Sequence, residues 1–241
     1  MSVALFAALV LMSPPRQQDS PVSWVTPPAP TEEDYPGFAS LIGVSGSVSV
    51  NCLSTVSGRV RDCQVLSATP PGLGFETAAI TIVSRGLTRP ASAGGVPYES
   101  RFSVRVPFQM WEDDVEDEPR PERPDVPTPT ESALRLAERV VDAYGAGPMI
   151  EVAVDGLPLA KHEEVQNWAR RDMVQSDRQV KAAVTRMVAL ALTEEQMSEI
   201  LEGGAVAVGG RQDVYDLGNY LMWDVDVGAY LKDRYCSRYE C

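Results

Sequence analysis

Gly46-Ser47-Val48-Ser49-Val50-Asn51-Cys52, Gly58-Arg59-Val60-Arg61-Asp62-Cys63-Gln64-Val65, Gly74-Phe75-Glu76-Thr77-Ala78-Ala79-Ile80-Thr81-Ile82-Val83 and Tyr98-Glu99-Ser100-Arg101-Phe102-Ser103-Val104-Arg105-Val106-Pro107-Phe108 decide the fold. In the first, Val48, Val50 and Cys52 alternate with Ser47, Ser49 and Asn51, the period of a half-buried strand. The second is its return, with Cys63 and Val65 inward. Pro70-Pro71-Gly72 then breaks the chain. From Phe75 the period lengthens to that of a helix, with Phe75, Ala78, Ala79, Ile82 and Val83 on one stripe and Gly86 as a stop. A loop with Pro90 and Gly94-Gly95 leads to a third strand, where Tyr98, Phe102, Val104, Val106 and Phe108 share one parity and Glu99, Arg101, Ser103 and Arg105 the other. An apolar helix stripe needs an apolar sheet face, so the reading is an α+β fold. It is a ββαβ unit, a three-stranded antiparallel sheet with one packed helix, followed by a mostly α-helical domain.

The two sides of that unit read differently. Val3 to Met12 is apolar but too short to span a bilayer as a helix. It has the character of a secretory signal core without a preceding Lys or Arg or a clear Ala-x-Ala site. Either the chain starts further upstream, or cleavage falls near Ser13, or this is the frayed terminus of a cytosolic protein. The expected division is a signal-like segment over 1–13, a Pro-rich spacer over 14–34, the sheet unit over 35–110, an acidic Pro-rich linker over 111–130 and a helical domain over 131–241. In the last part Leu134, Ala137, Val141 and Tyr144 recur at helix spacing up to Gly145. Further helices are expected over 162–175 and 178–192. A capping box, Thr193 with Gln196, starts another helix that ends at Leu201. A last helix is expected over 212–235, interrupted near Gly228.

The balance is acidic, with 21 basic and 34 acidic side chains among 241 residues and a net charge of −13. A nucleic-acid partner is therefore excluded, because phosphate binding needs a basic face. The acidity is uneven: residues 111–127 carry −6, while residues 33–110 carry +1 and no lysine.

Four cysteines fall into two local pairs. If Ser57-Gly58 makes a two-residue turn, facing positions sum to 115, which joins Cys52 to Cys63 and Val50 to Val65; a longer turn would shift this register. Cys236 and Cys241 would close a short terminal loop. The spacings do not suit zinc knuckles and the single histidine is His162, so no metal and no cofactor is expected. Two disulfides point to an oxidising compartment.

No catalytic residue is expected. His162 precedes Glu163-Glu164 at a helix start and reads as solvent-exposed, and no nucleophile accompanies it. Asp224 and Asp226 are too sparse for a calcium loop. Gly203-Gly204 and Gly209-Gly210 lack the Lys-Ser/Thr of a phosphate loop. Trp168, Trp223, Tyr220 and Tyr230 read as core aromatics. The third strand carries the one mechanism that can be argued. Its outer backbone edge can accept an extended peptide as an added strand, with Arg101 and Arg105 either pairing with acids of the guest or guarding the edge.

Tyr35-Pro36, Gly46-Ser47-Val48-Ser49-Val50, Gly58-Arg59-Val60, Gly74-Phe75-Glu76-Thr77-Ala78-Ala79, Arg89-Pro90-Ala91, Gly95-Val96-Pro97 and Val106-Pro107-Phe108, in this order, resemble the C-terminal domain of TonB family proteins. The Leu192-Thr193-Glu194-Glu195-Gln196 element faintly resembles a helical periplasmic domain of unknown function. The TonB resemblance covers about a third of the chain. It implies a non-enzymatic module of the periplasm of a Gram-negative bacterium that binds a peptide of an outer-membrane transporter, or another envelope protein, by β-strand addition, with a role in TonB-dependent transport. By carry-over the partner-binding residues are Tyr35, Pro36, Tyr98, Ser100, Arg101, Ser103 and Arg105. Membrane contact is expected only through an uncleaved N-terminal segment. The alternative is a structural protein whose sheet unit packs on its own helical domain without peptide binding or energy transduction.

Overall fold

The computed structural model describes residues 19–110, 126–204 and 225–241. The expected ββαβ unit is present. Strands β2 (Gly46–Ser54), β3 (Val60–Thr69) and β7 (Ser100–Phe108) form one antiparallel sheet in the order β3-β2-β7. Helix α2 (Phe75–Ser84) packs across β2 and β3. Val48, Val50, Cys52, Phe75, Ala79, Ile82 and Val83 are all buried, as the two periodicities require. Burying the Val, Ile and Phe side chains among them contributes about 1.5–3 kcal/mol each.

The β2–β3 turn is longer than the expected Ser57-Gly58 pair. It spans residues 55–59, with the Thr55 N–H donating to the Arg59 carbonyl and the Gly58 N–H to the Thr55 carbonyl. Ser54 therefore faces Val60 and Leu53 faces Arg61. An irregularity beyond Leu53, at Asp62 with φ 51°, advances the pairing so that Asn51 faces Gln64 and Val50 faces Val65. This compensation lets Cys52 and Cys63 form their disulfide despite the longer turn. Val65 opposes the buried Val50 and so shares its face, but it is 38% exposed rather than buried, because β3 is an edge strand of the sheet.

The spacer reading fails over Ser23–Thr26, which form strand β1 and pair with β4 (Leu87–Arg89). Three prolines around this strand, Pro21, Pro27 and Pro28, hid it. Trp24 holds it: the indole meets the Phe102 ring edge-on at 5.4 Å, and a Cβ at Gly86 would lie 2.5 Å from it. The loop before the third strand is a hairpin of β5 (Ala91–Ala93) and β6 (Val96–Tyr98), bridged to the N-terminal segment through Ser20 and Ser92. Residues 1–18 and 111–125 lie outside the described residues, and with them the signal-like segment and most of the linker.

Ahead of the sheet, Asp34 is tied to Arg85 and to the Thr31 N–H and hydroxyl. Burial opposes its charge, but the hydrogen bonds from Arg85 and Thr31 outweigh it and hold the carboxyl below its ordinary range. A lowered folded-state value contributes stability above the unfolded pKa, and that contribution is lost as pH falls through the folded value. Asp34→Asn should therefore show a smaller drop in Tm than the parent between about pH 6 and pH 3.

The C-terminal part is helical, as expected. Helix α3 (Glu131–Tyr144) is capped by Thr130 and stops at Gly145. Helix α4 (Leu159–Asn167) runs through a wider turn, Trp168–Asp172, into α5 (Met173–Ser176). Helix α6 (Arg178–Ala191) follows, capped by Asp177. Helix α7 (Glu194–Leu201) carries the expected capping box, with the Gln196 N–H donating to Thr193 Oγ1 and the Thr193 N–H to Gln196 Oε1. Lys181 links α6 to Asp142 of α3 at 2.6 Å. Helix α8 is Val227–Arg238, and Gly228 lies inside it rather than interrupting it. Residues 212–224 of that expectation lie outside the described residues. Cys236 and Cys241 are bonded.

The two parts share one core. Helix α1 (Gly37–Leu41) inserts Phe38, fully buried, against the Tyr235 ring of α8 at 5.2 Å. A Cβ on Gly228 would meet the Leu41 carbonyl oxygen at 2.3 Å, and Gly74 and Gly156 cross with equally little room. Lys232 donates to the Gly43 carbonyl at 3.1 Å.

Candidate functional site

Strand β7 pairs with β2 on one side, and among the described residues no strand pairs with its other side. Backbone groups alternate between the two edges of a strand. The Thr55 N–H, at the end of β2, points to β3, so odd positions of β2 face β3 and even positions face β7. The register couples even positions with even positions, Val48 with Val106 and Val50 with Val104. Phe102, Val104 and Val106 thus give their N–H and C=O groups to β2, and Arg101, Ser103 and Arg105 present theirs outward. Pro107, which has no N–H, falls at an outward position, where a strand tolerates it.

Side chains alternate with the same parity. Arg101, Ser103 and Arg105 stand on the open face of the sheet and are exposed. Arg101 Nη1 donates to Asn51 Oδ1 at 3.1 Å and to the Asp62 carbonyl at 3.2 Å. Arg105 Nη2 donates to Ser47 Oγ at 2.9 Å, and Asn51 Nδ2 to Ser103 Oγ at 3.0 Å. Asn51 and Ser47 were not among the expected site residues; the pairing of their strand with β7, which the sequence leaves open, brings them there. On the opposite face Val106 and Phe108 are buried, but Phe102 and Val104 remain half-exposed.

The other expected partner residues lie elsewhere. Tyr98 is 48% exposed in β6, just before β7, and Ser100 is half-buried at the strand's start. Tyr35 and Pro36 belong to the core at the far end of β7. The Tyr35 hydroxyl donates to the Val44 carbonyl at 2.7 Å, and its ring meets Phe75 and Phe108 edge-on. Burial pushes the phenol above its ordinary pKa, against a lowering hydrogen bond with Ser45. Pro36 is buried beside Gly74 and offers no surface to a partner.

The other residues considered for chemistry are accounted for structurally. His162 is half-buried rather than exposed, with Nε2 enclosed and unpaired. Asp226 caps α8 by accepting from the Ala229 N–H. Trp168 is buried, with the Arg234 guanidinium 5.2 Å from its ring centre. Trp223, Tyr220 and Asp224 lie outside the described residues. An open hollow of about 380 Å³ is lined by Glu163, Glu164 and Asp172. Glu164 is paired with Arg238 and accepts from the Tyr239 hydroxyl, and Asp172 is paired with Arg234. Glu164 and Asp172 are thus neutralised by cations of the last helix. No cluster that could hold a metal occurs among the described residues.

Residues 31–110 match the family described as the Gram-negative bacterial TonB protein C-terminal. Among solved structures, the solution NMR structure of the Pseudomonas aeruginosa TonB CTD matches with 24% identity over 39% of this chain and 91% of that one, at a TM-score of 0.32. No curated protein matches the chain. Residues 31–110 thus match the TonB C-terminal family, and in this chain that stretch is joined to an additional, mostly helical region.

Proposed function

We propose that this protein is a non-enzymatic binding module of the Gram-negative cell envelope, exported to the periplasm, that captures an extended peptide of an outer-membrane transporter by strand addition to β7. The observation that carries this reading is the outer edge of β7, where the backbone of Arg101, Ser103 and Arg105 has no neighbouring strand among the described residues and alternates with half-exposed apolar residues. A guest strand would satisfy those groups and draw its affinity from main-chain hydrogen bonds. No helix among the described residues is long and apolar enough to cross a membrane. The proposal is therefore partner binding, with a role in transport only through that partner.

The structural alternative draws on the core shared between α1 and α8. Those contacts gather at α1, Gly43 and Gly74, at the end of the sheet where β2 begins, and they leave the pairing groups of β7 untouched. Packing on the helical region and peptide capture are thus compatible.

Ser103→Pro tests the reading. It removes one outward N–H and no backbone bond to β2; the side-chain bond from Asn51 is lost equally in Ser103→Ala, so the fold should persist. Binding of a peptide from the N-terminal segment of an outer-membrane transporter should weaken about tenfold or more, while Ser103→Ala binds as the parent does. Equal binding by the proline variant, measured by titration calorimetry, would sink strand addition at this edge.

A further inference from the structure

The chemistry of the guest can be read from the two arginines, on the assumption that strand addition to β7 is correct. Arg101 and Arg105 are four residues apart on one face, about 13 Å along the strand. Two of the other four arginines of the domain have carboxylate partners across elements: Arg61 has Glu99 and Arg85 has Asp34. Arg101 and Arg105 have only neutral acceptors, Asn51, the Asp62 carbonyl and Ser47, and among the described residues no carboxylate lies in ion-pair range of either. A guanidinium exchanges a neutral acceptor for a carboxylate with gain, because charge-assisted hydrogen bonds are shorter and stronger. Between them Ser103 is small and already engaged by Asn51. On the opposite face the edge leaves Phe102 and Val104 half-exposed, whereas Val106 and Phe108 beyond them are covered.

We propose that the partner segment of this protein is an acidic, alternating strand. It carries carboxylates at positions i and i+4, opposite Arg101 and Arg105, a small neutral residue at i+2, and apolar side chains at i+1 and i+3 over Phe102 and Val104. Cross-strand neighbours bring their Cβ atoms to about 4.5–5.5 Å, within reach of a Glu–Arg pair. The same spacing serves a parallel or an antiparallel guest, because residues four apart share a face in either direction. Pro107 ends the outward ladder, so the recognised core is short. The chain as a whole is acidic, with a net charge of −13, so the long-range field does not favour such a guest. Selection for carboxylates therefore rests on these two side chains, and the comparison that reads it is parent against arginine variant.

The test uses the full oxidised chain and three synthetic peptides of equal length. One has Glu at i and i+4 with Val at i+1 and i+3, one replaces both Glu by Gln, and one replaces them by Lys. Affinities are measured by fluorescence anisotropy, and amide exchange of β7 is followed in parallel. Two exposed ion pairs predict that the Glu peptide binds about 3- to 30-fold tighter than the Gln peptide, and that the Lys peptide binds weakest. In the Arg101→Gln/Arg105→Gln variant the Glu advantage should shrink to within about twofold. Circular dichroism and melting confirm that the variant is folded. Equal binding of Glu and Gln peptides, with protection of Arg101, Ser103 and Arg105 amides, would overturn the acidic guest and leave strand addition standing. No protection by any peptide would overturn both. Protection of the same amides in a peptide-free dimer would assign the edge to a second copy of the chain.

Discussion

Phe38→Ala is expected to cost about 3–5 kcal/mol and to weaken both halves of the molecule at once. Phe38 is fully buried on α1, and its ring packs on Tyr235, itself fully buried on α8. Truncation leaves a cavity that lies between the sheet and the helices rather than inside either. The surroundings cannot easily close it, because Gly228 already sits against the Leu41 carbonyl, so α8 has no room to move toward α1. If the shared core makes one cooperative unit, amides in β2 and in α6 should lose protection together in urea, with coincident midpoints. Destabilisation confined to the sheet amides would mean that the helical region folds alone.

The second large effect is expected from Gly74→Ala, at about 2–5 kcal/mol. Gly74 sits at the start of α2 with φ 91°, a conformation that side chains resist. Its added Cβ would lie 2.8 Å from the Cα of Gly156 and 3.1 Å from Pro36, so backbone would have to separate. Gly94→Ala is the matched control: φ is also positive, at 56°, but nothing lies within 4 Å of the added atom. It should cost about 1 kcal/mol, the conformational part alone. Chemical denaturation of both variants separates the crossing from the backbone preference. Similar losses at the two positions would show that the Gly74–Gly156 approach contributes little.

The parts of the fold legible in the sequence are those where one periodicity dominates. The alternation of Val48 and Val50 and the stripe of Phe75, Ala79, Ile82 and Val83 placed the sheet and its helix, because burial on one face leaves no other register. The Thr193–Gln196 cap was equally visible, since both partners sit within one turn. The strand at Ser23–Thr26 was not, because its support comes from Trp24 packing on Phe102, far along the chain, while prolines beside it mimic a spacer. The bulge at Asp62 was hidden for a related reason: a longer turn and an irregular pair cancel, so the cysteine pairing came out as expected although the turn did not.

For the candidate site, the parity of Arg101, Ser103 and Arg105 followed from the sequence, since alternation is local. The placement of Tyr35 and Pro36 did not. Carried over from the family resemblance they read as binding residues, yet aromatic packing with Phe75 and Phe108 draws Tyr35 into the core, and Pro36 beside it is buried. The role of Asn51 and Ser47 as acceptors for the arginines depended on which strand is central, which only the order β3-β2-β7 decides.

Residue-resolved amide exchange of β7 in the oxidised chain shows whether its outer edge takes up a guest strand. Without peptide, Phe102, Val104 and Val106 should exchange slowly, because they donate to β2, and Arg101, Ser103 and Arg105 should exchange fast. Adding a peptide from a transporter's N-terminal segment should slow those three and leave the inner set unchanged. Slow exchange of Arg101, Ser103 and Arg105 before any peptide is added, or fast exchange that saturating peptide does not alter, would contradict strand addition at this edge.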